Sequence, residues 1–157
     1  MTIEQPARLF AQREHGELIR GLNRIRDLAC SIGHVPTAEV SDGVITVVHW
    51  IEHTLWPHLA WEEHWLYPEI ELRLETPWAT RAARFDHGQL RERSDRLRFD
   101  RLGLTADLHG AREELRGDLF GFEALVRAHI EREEQFLLPL LDEPVTTELD
   151  PAAVAPV

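Results

Sequence analysis

The sequence predicts an all-α protein, an up-down-up-down four-helix bundle with an internal two-fold pseudo-repeat. Three observations predict it. Apolar residues recur at steps of three and four in four separate stretches, and no stretch alternates cleanly with period two. Short segments rich in helix breakers separate those stretches. The second half of the chain also repeats a polar signature of the first, at an offset of 71 or 72 residues.

The first helix is expected from Pro6 to about Ile32, on the stripe Ala11, His15, Leu18, Leu22, Ile25, Ala29 and Ile32. The linker HVPTAEVSDG follows, read as broken by its proline and glycine. The second helix runs from about Val44 to Leu74, on Val44, Val48, Ile51, Leu55, His58, Glu62 and Leu66. Pro57 and Pro68 lie inside it; each removes a backbone donor and should kink it. Thr76-Pro77 reads as a cap and first position for the third helix, which extends to about Arg101 with Ala83, His87, Leu90 and Leu97 inward. Gly103 breaks the chain, and Thr105 is the expected cap of the fourth helix. Its stripe is Leu108, Ala111, Leu115, Leu119, Phe122, Val126, His129, Glu133, Phe136 and Leu140. Residues 1–142 form one bundle domain in this reading, and the aperiodic residues 143–157 a disordered C-terminal tail.

Composition narrows the function classes. A chain of 157 residues can bury an ordinary core without cross-links. Its single cysteine, Cys30, excludes a disulfide framework and fits a reducing compartment. The N-terminus has no basic-then-apolar leader, and no apolar run approaches a membrane span, so a cytoplasmic protein is expected with no membrane partner. A net charge of −11 argues against nucleic acid. The nine histidines ask for a reason.

That reason lies in what interrupts the apolar stripes. His15, His58, Glu62, His87, His129 and Glu133 occupy positions where leucine belongs. His15-Gly16-Glu17-Leu18 matches His87-Gly88-Gln89-Leu90, and HLAWEEHWLYP at 58–68 returns as HIEREEQFLLP at 129–139. Residues four apart share a helix face, so His58 with Glu62, and His129 with Glu133, can each address one metal centre. A glutamate has two oxygens and can bridge two ions. Each ion would then take two imidazole nitrogens and two carboxylate oxygens, with room for a solvent-derived bridge and one further ligand. Mixed nitrogen and oxygen ligation with open positions suits redox-active iron better than magnesium or calcium, while zinc and manganese accept the same ligand types. A metal-free polar network is the competing reading. It has to bury two carboxylates at a cost of several kcal/mol each unless they are paired.

The order His, His-x-x-x-Glu, His, His-x-x-x-Glu resembles the hemerythrin-like HHE cation-binding domain family over residues 6 to 142. The resemblance implies a four-helix bundle around two non-haem irons bridged by carboxylates and an oxo or hydroxo group. Two positions depart from the oxygen carriers of that family. Arg91 stands where they have a second third-helix histidine, and Glu133 follows His129 by four where they have an aspartate at five. Both departures weigh against reversible oxygen carriage. What the wider family implies is binding of, or reaction with, O2, peroxide or nitric oxide, including enzymatic consumption of the last two. The alternative is a sensor, regulatory or iron-storage module without turnover.

The remaining polar and aromatic residues receive plainer readings. Glu63 and Glu134 are expected at solvated helix edges, turned away from the ions, the alternative being carboxylates that accept a ligand histidine's second N–H. His49, His53 and His109 fall off their stripes, the alternative being that a kink at Pro57 turns His53 to the site; His64 faces away, and His34 lies in a linker. Trp50, Trp56, Trp61 and Trp65 crowd the second helix, where core and interface packing account for them; since they cannot all face one core, a homodimer surface or a shell shielding the redox site are the two further readings. Tyr67 is read as a packed ring, the alternative being a metal-bound phenolate, Cys30 as a small buried hydrophobe, and no inward acid besides the six residues is evident.

Overall fold

The computed structural model describes residues 7–142; residues 1–6 and the expected tail at 143–157 lie outside the described residues. Four helical rods carry the fold, and no strand occurs among the described residues. Helix α1 is continuous over Ala7–Ser31. Helix α2 is composite, with α-helical Thr37–Trp50, π-helical Ile51–Leu55, α-helical Trp56–Trp61, π-helical Glu62–Leu66 and α-helical Tyr67–Arg73 in succession. Helix α3 spans Arg81–Thr105. Helix α4 runs over Ala111–Arg132, widens into a π turn at Glu133–Leu137 and ends in a 3-10 turn at Leu138–Leu141. The rods pack in a closed ring, α1 on α2, α2 on α3, α3 on α4 and α4 on α1.

The apolar stripes of the four helices meet inside that ring in two unequal clusters. The larger contains Leu18, Leu22, Ile51, Leu55, Leu90, Leu97, Leu119 and Phe122 among others. The smaller gathers Ala11, Leu66, Tyr67, Ile70, Ala83 and Leu138. His15 falls between Ala11 and Leu18 on α1, and His87 between Ala83 and Leu90 on α3. On α2 and α4 the His-x-x-x-Glu pairs likewise separate members of the two clusters. The polar residues therefore form one layer sealed above and below by hydrocarbon.

The prolines are accommodated by a recurring device. The residue before each of Pro57, Pro68 and Pro139 donates its N–H five residues back: Trp56 to Ile51, Tyr67 to Glu62 and Leu138 to Glu133. A proline ring collides with the carbonyl four residues earlier, and the wider π turn relieves that collision. The backbone stays in the right-handed helical region at the ends of each π turn.

Several boundaries differ from expectation. Helix α2 begins at Thr37 and runs straight through Gly43, because a Cβ there would overlap Leu28 of α1; the glycine serves close helix contact rather than a break. Thr76 does not cap α3. Its hydroxyl accepts the Trp78 N–H at 3.3 Å in a local turn, and α3 starts five residues later, at Arg81. Helix α4 follows Gly110, whose φ of +80° suits glycine, so Leu108 lies before the helix and is exposed. Phe136 is also exposed, because the π turn rotates the chain and brings Leu138 inward in its place. Cys30 is exposed as well, one residue past the inward Ala29 and so about 100° around α1 from it. No helix among the described residues is long and apolar enough to cross a membrane.

Candidate metal centre

All six sequence-selected residues converge in the polar layer. Glu62, His87 and Glu133 are 0 % exposed, His15 and His129 1 %, and His58 4 %. Each helix contributes from its inner face: α1 gives His15, α2 His58 and Glu62, α3 His87, and α4 His129 and Glu133. The donors fall into two groups of four, His15, His58, Glu62 and Glu133 on one side and His87, His129, Glu62 and Glu133 on the other. Within each group the ligand atoms lie within 4.8 Å of one another.

Both glutamates belong to both groups, and each divides its oxygens between them. Glu62 Oε1 lies 2.6 Å from His58 Nε2 and 3.6 Å from His15 Nε2. Its Oε2 lies 3.2 Å from His87 Nε2 and 3.7 Å from His129 Nε2. Glu133 places Oε2 3.3 Å from His15 Nε2 and Oε1 3.7 Å from His129 Nε2. Despite this proximity, His15 Nε2, His58 Nε2, both oxygens of Glu62 and Glu133 Oε2 have no hydrogen bond of acceptable geometry among the described residues. Buried polar atoms are ordinarily satisfied, and a set of inward-facing, unsatisfied imidazoles and carboxylates suits a pair of cations.

Electrostatics tie the residues into one unit. Burial disfavours the charged form of Glu62, but His129, His15, His58 and His87 outweigh it and hold its carboxyl well below the usual range. Glu133 moves the other way, raised by burial and by the charge of Glu62. Burial works against a proton on His15, yet Glu133 and Glu62 prevail and lift it to about 10. His129 is lifted to about 9, against burial, by Asp86 and the two glutamates.

The residues behind the histidines correct the expectation for Glu63 and Glu134. Neither is turned away from the site. Glu63 Oε1 lies 2.7 Å from His87 Nδ1, and Glu134 Oε1 lies 3.0 Å from His15 Nδ1. One residue past an inward glutamate is a rotation of about 100°, which reaches the seam with the adjoining helix rather than open solvent. At each seam the adjoining helix presents a histidine. Arg91, in turn, donates to Glu63 Oε1 at 3.0 Å.

Two residues take parts that the sequence reading did not give them. Asp86 Oδ2 lies 3.5 Å from His129 Nδ1 and pairs with Arg132. A signal for it existed, since an acid directly precedes both His15 and His87. Tyr67 is fully buried; its hydroxyl donates to Glu133 Oε1 and lies 2.9 Å from His87 Nε2. An inward O–H besides the six residues therefore exists. A straight α-helix would turn Tyr67 well away from Glu62, whereas the π turn between them returns it to the same face.

The other histidines stay outside. His34, His49, His53, His64 and His109 are exposed, and His53 and His64 bond their rings to backbone carbonyls of their own helix. A family model described as hemerythrin HHE cation binding domain matches residues 10–141. No curated protein and no solved structure matches the chain.

Proposed function

Because the chain belongs to the hemerythrin HHE cation-binding domain family, we propose that it holds two non-haem iron ions between its halves and that these bind or react with O2, peroxide or nitric oxide. The observation that carries this reading is the division of the Glu62 oxygens, Oε1 toward His15 and His58 and Oε2 toward His87 and His129. In it His15 and His58 would hold one ion, His87 and His129 the other, and Glu62 and Glu133 would serve both. Iron, when bound, supplies the electrons and the open coordination position for a small ligand.

The chain's own residues perform the remaining tasks. Leu66, Ile70 and Leu138 on one side, with Leu55, Leu90 and Val126 on the other, keep bulk water from the layer. Glu63 and Glu134 hold the rings of His87 and His15 from behind, and the Asp86 carboxylate faces Nδ1 of His129. Tyr67 keeps its proton, its pKa pushed up by burial and by Glu62 and Glu133, and so remains a donor that orients the Glu133 carboxylate. In the same reading the protein acts in the cytoplasm and pairs with a second copy through α2, where Trp65 is 70 % exposed.

The test is metal content per chain after expression with iron and purification without chelator or metal-affinity resin. The anaerobic Fe(II) protein is then mixed with O2, peroxide or nitric oxide. Two irons with repeated consumption of peroxide or nitric oxide support an enzyme. Two irons with a single stoichiometric reaction support a sensor or store. A folded chain that takes up no iron overturns the proposal.

A further inference from the structure

We propose that the two ions are held unequally, the one between His87 and His129 more tightly than the one between His15 and His58. The inference rests on the two-ion reading above and deepens it. The four inward nitrogens and two glutamates are nearly symmetric, but the support behind the rings is not.

Both histidines of the α3 and α4 pair have an arginine-paired carboxylate facing Nδ1, and His87 is hydrogen-bonded to its own. His87 has Glu63 at 2.7 Å, and Arg91 fixes that carboxylate at 3.0 Å. His129 has the Asp86 carboxylate 3.5 Å from Nδ1, an ion-pair contact without hydrogen-bond geometry, and Arg132 fixes that carboxylate. The α1 and α2 pair is poorer on both counts. His15 has Glu134 at 3.0 Å, a side chain 42 % exposed and without an arginine partner among the described residues. His58 has no carboxylate; its Nδ1 is buried without a hydrogen-bond partner, and the Trp61 ring stacks alongside at 6.3 Å.

The repeat shows where the symmetry was lost. The positions equivalent to Arg91 and Arg132 are Ile19 and Trp61, and the one equivalent to Asp86 is Glu14. The Glu14 carboxylate faces Arg13 at 3.6 Å.

A carboxylate on Nδ1–H fixes the tautomer that points the Nε2 lone pair inward, raises the ring's basicity and holds its orientation. The arginines work partly against this by drawing charge from Glu63 and Asp86. Both guanidinium groups are substantially exposed, Arg91 at 54 % and Arg132 at 44 %, so water screens that effect and the gain in ring orientation outweighs it. Losing one such partner typically lowers metal affinity about 10- to 100-fold. His58, with none, therefore sets a gap of about tenfold or more between the two ions.

The test uses Co(II) as the probe, added to the metal-free full chain and followed by its visible absorption, then withdrawn with a chelator. Two binding steps about tenfold or more apart are expected, with one ion released fast and one slowly. His58→Ala should retain the slow ion, and His129→Ala the fast one. Asp86→Asn and, independently, Glu63→Gln should narrow the gap, so the outcome does not depend on one variant folding. Two indistinguishable ions, a reversed assignment in the histidine variants, or a gap that neither Asp86→Asn nor Glu63→Gln changes would each overturn the inference while leaving the two-ion reading intact. A folded chain that binds no Co(II) overturns that reading itself.

Discussion

The phenol of Tyr67 on α2 donates a hydrogen bond to the carboxylate of Glu133 on α4, joining the two halves of the repeat inside the polar layer. A hydrogen bond to a charged group contributes about 1.5–3 kcal/mol. Tyr67→Phe keeps the ring and removes the donor, so the metal-free chain should lose about that much stability in urea denaturation. Unchanged stability would show that the bond contributes nothing to holding the halves together.

Glu62 and Glu133 each serve both donor groups. Glu62→Ala or Glu133→Ala should therefore abolish binding of the metal pair, while Glu63→Ala should weaken it about 10- to 100-fold without abolishing it. Metal analysis after equilibrium dialysis distinguishes the two. Equal loss in all three variants would mean that Glu63 is itself a ligand.

Gly21 of α1 lies against the indole of half-buried Trp50, and an added Cβ would overlap that ring. Gly21→Ala should cost about 1–3 kcal/mol through this overpacking and push Trp50 toward solvent. The emission should shift to the red, and the shift should vanish when Trp50→Phe is combined with it. An unshifted spectrum with full stability would show that α1 and α2 have slack at this crossing.

Asp100, on α3, is raised from 3.8 to about 6 by burial and by Asp118, with Glu114 adding to the shift and Arg96 opposing it. A raised carboxyl favours the fold while it is protonated. Its contribution is fully present below about pH 4 and is lost as pH climbs through 6. Asp100→Asn cannot ionise, so it should raise the melting temperature at pH 7.5, with the gain shrinking toward pH 5. A gain that does not change with pH would assign the effect to packing instead.

How far the sequence could be read depended on the helix period. On α1 every predicted stripe residue is buried, from Ala11 to Ile32, because nothing disturbs the period there. The six histidines and glutamates were legible for the same reason, since each His-x-x-x-Glu pair ends on the first residue of a π turn rather than spanning one. Beyond Glu62 and Glu133 the wider turns shift the register, which is why Tyr67 turned inward and Phe136 outward against the helical pattern. Glu63, Glu134 and Asp86 escaped for another cause. Their partners are on neighbouring helices, and a single helix's pattern does not say what lies across the seam.

The division of the glutamate oxygens between the two sides has one more consequence. Each half of the chain carries two of the four histidines and one of the two glutamates, so neither half can complete a donor group alone. Two copies of a single half, paired about the same axis, would present the same six groups. The bundle is thus a dimer of helical hairpins written into one polypeptide. Covalent joining adds a freedom that identical subunits lack, because the halves can diverge. Arg91, Arg132 and Tyr67, each on one side only, are where they have done so.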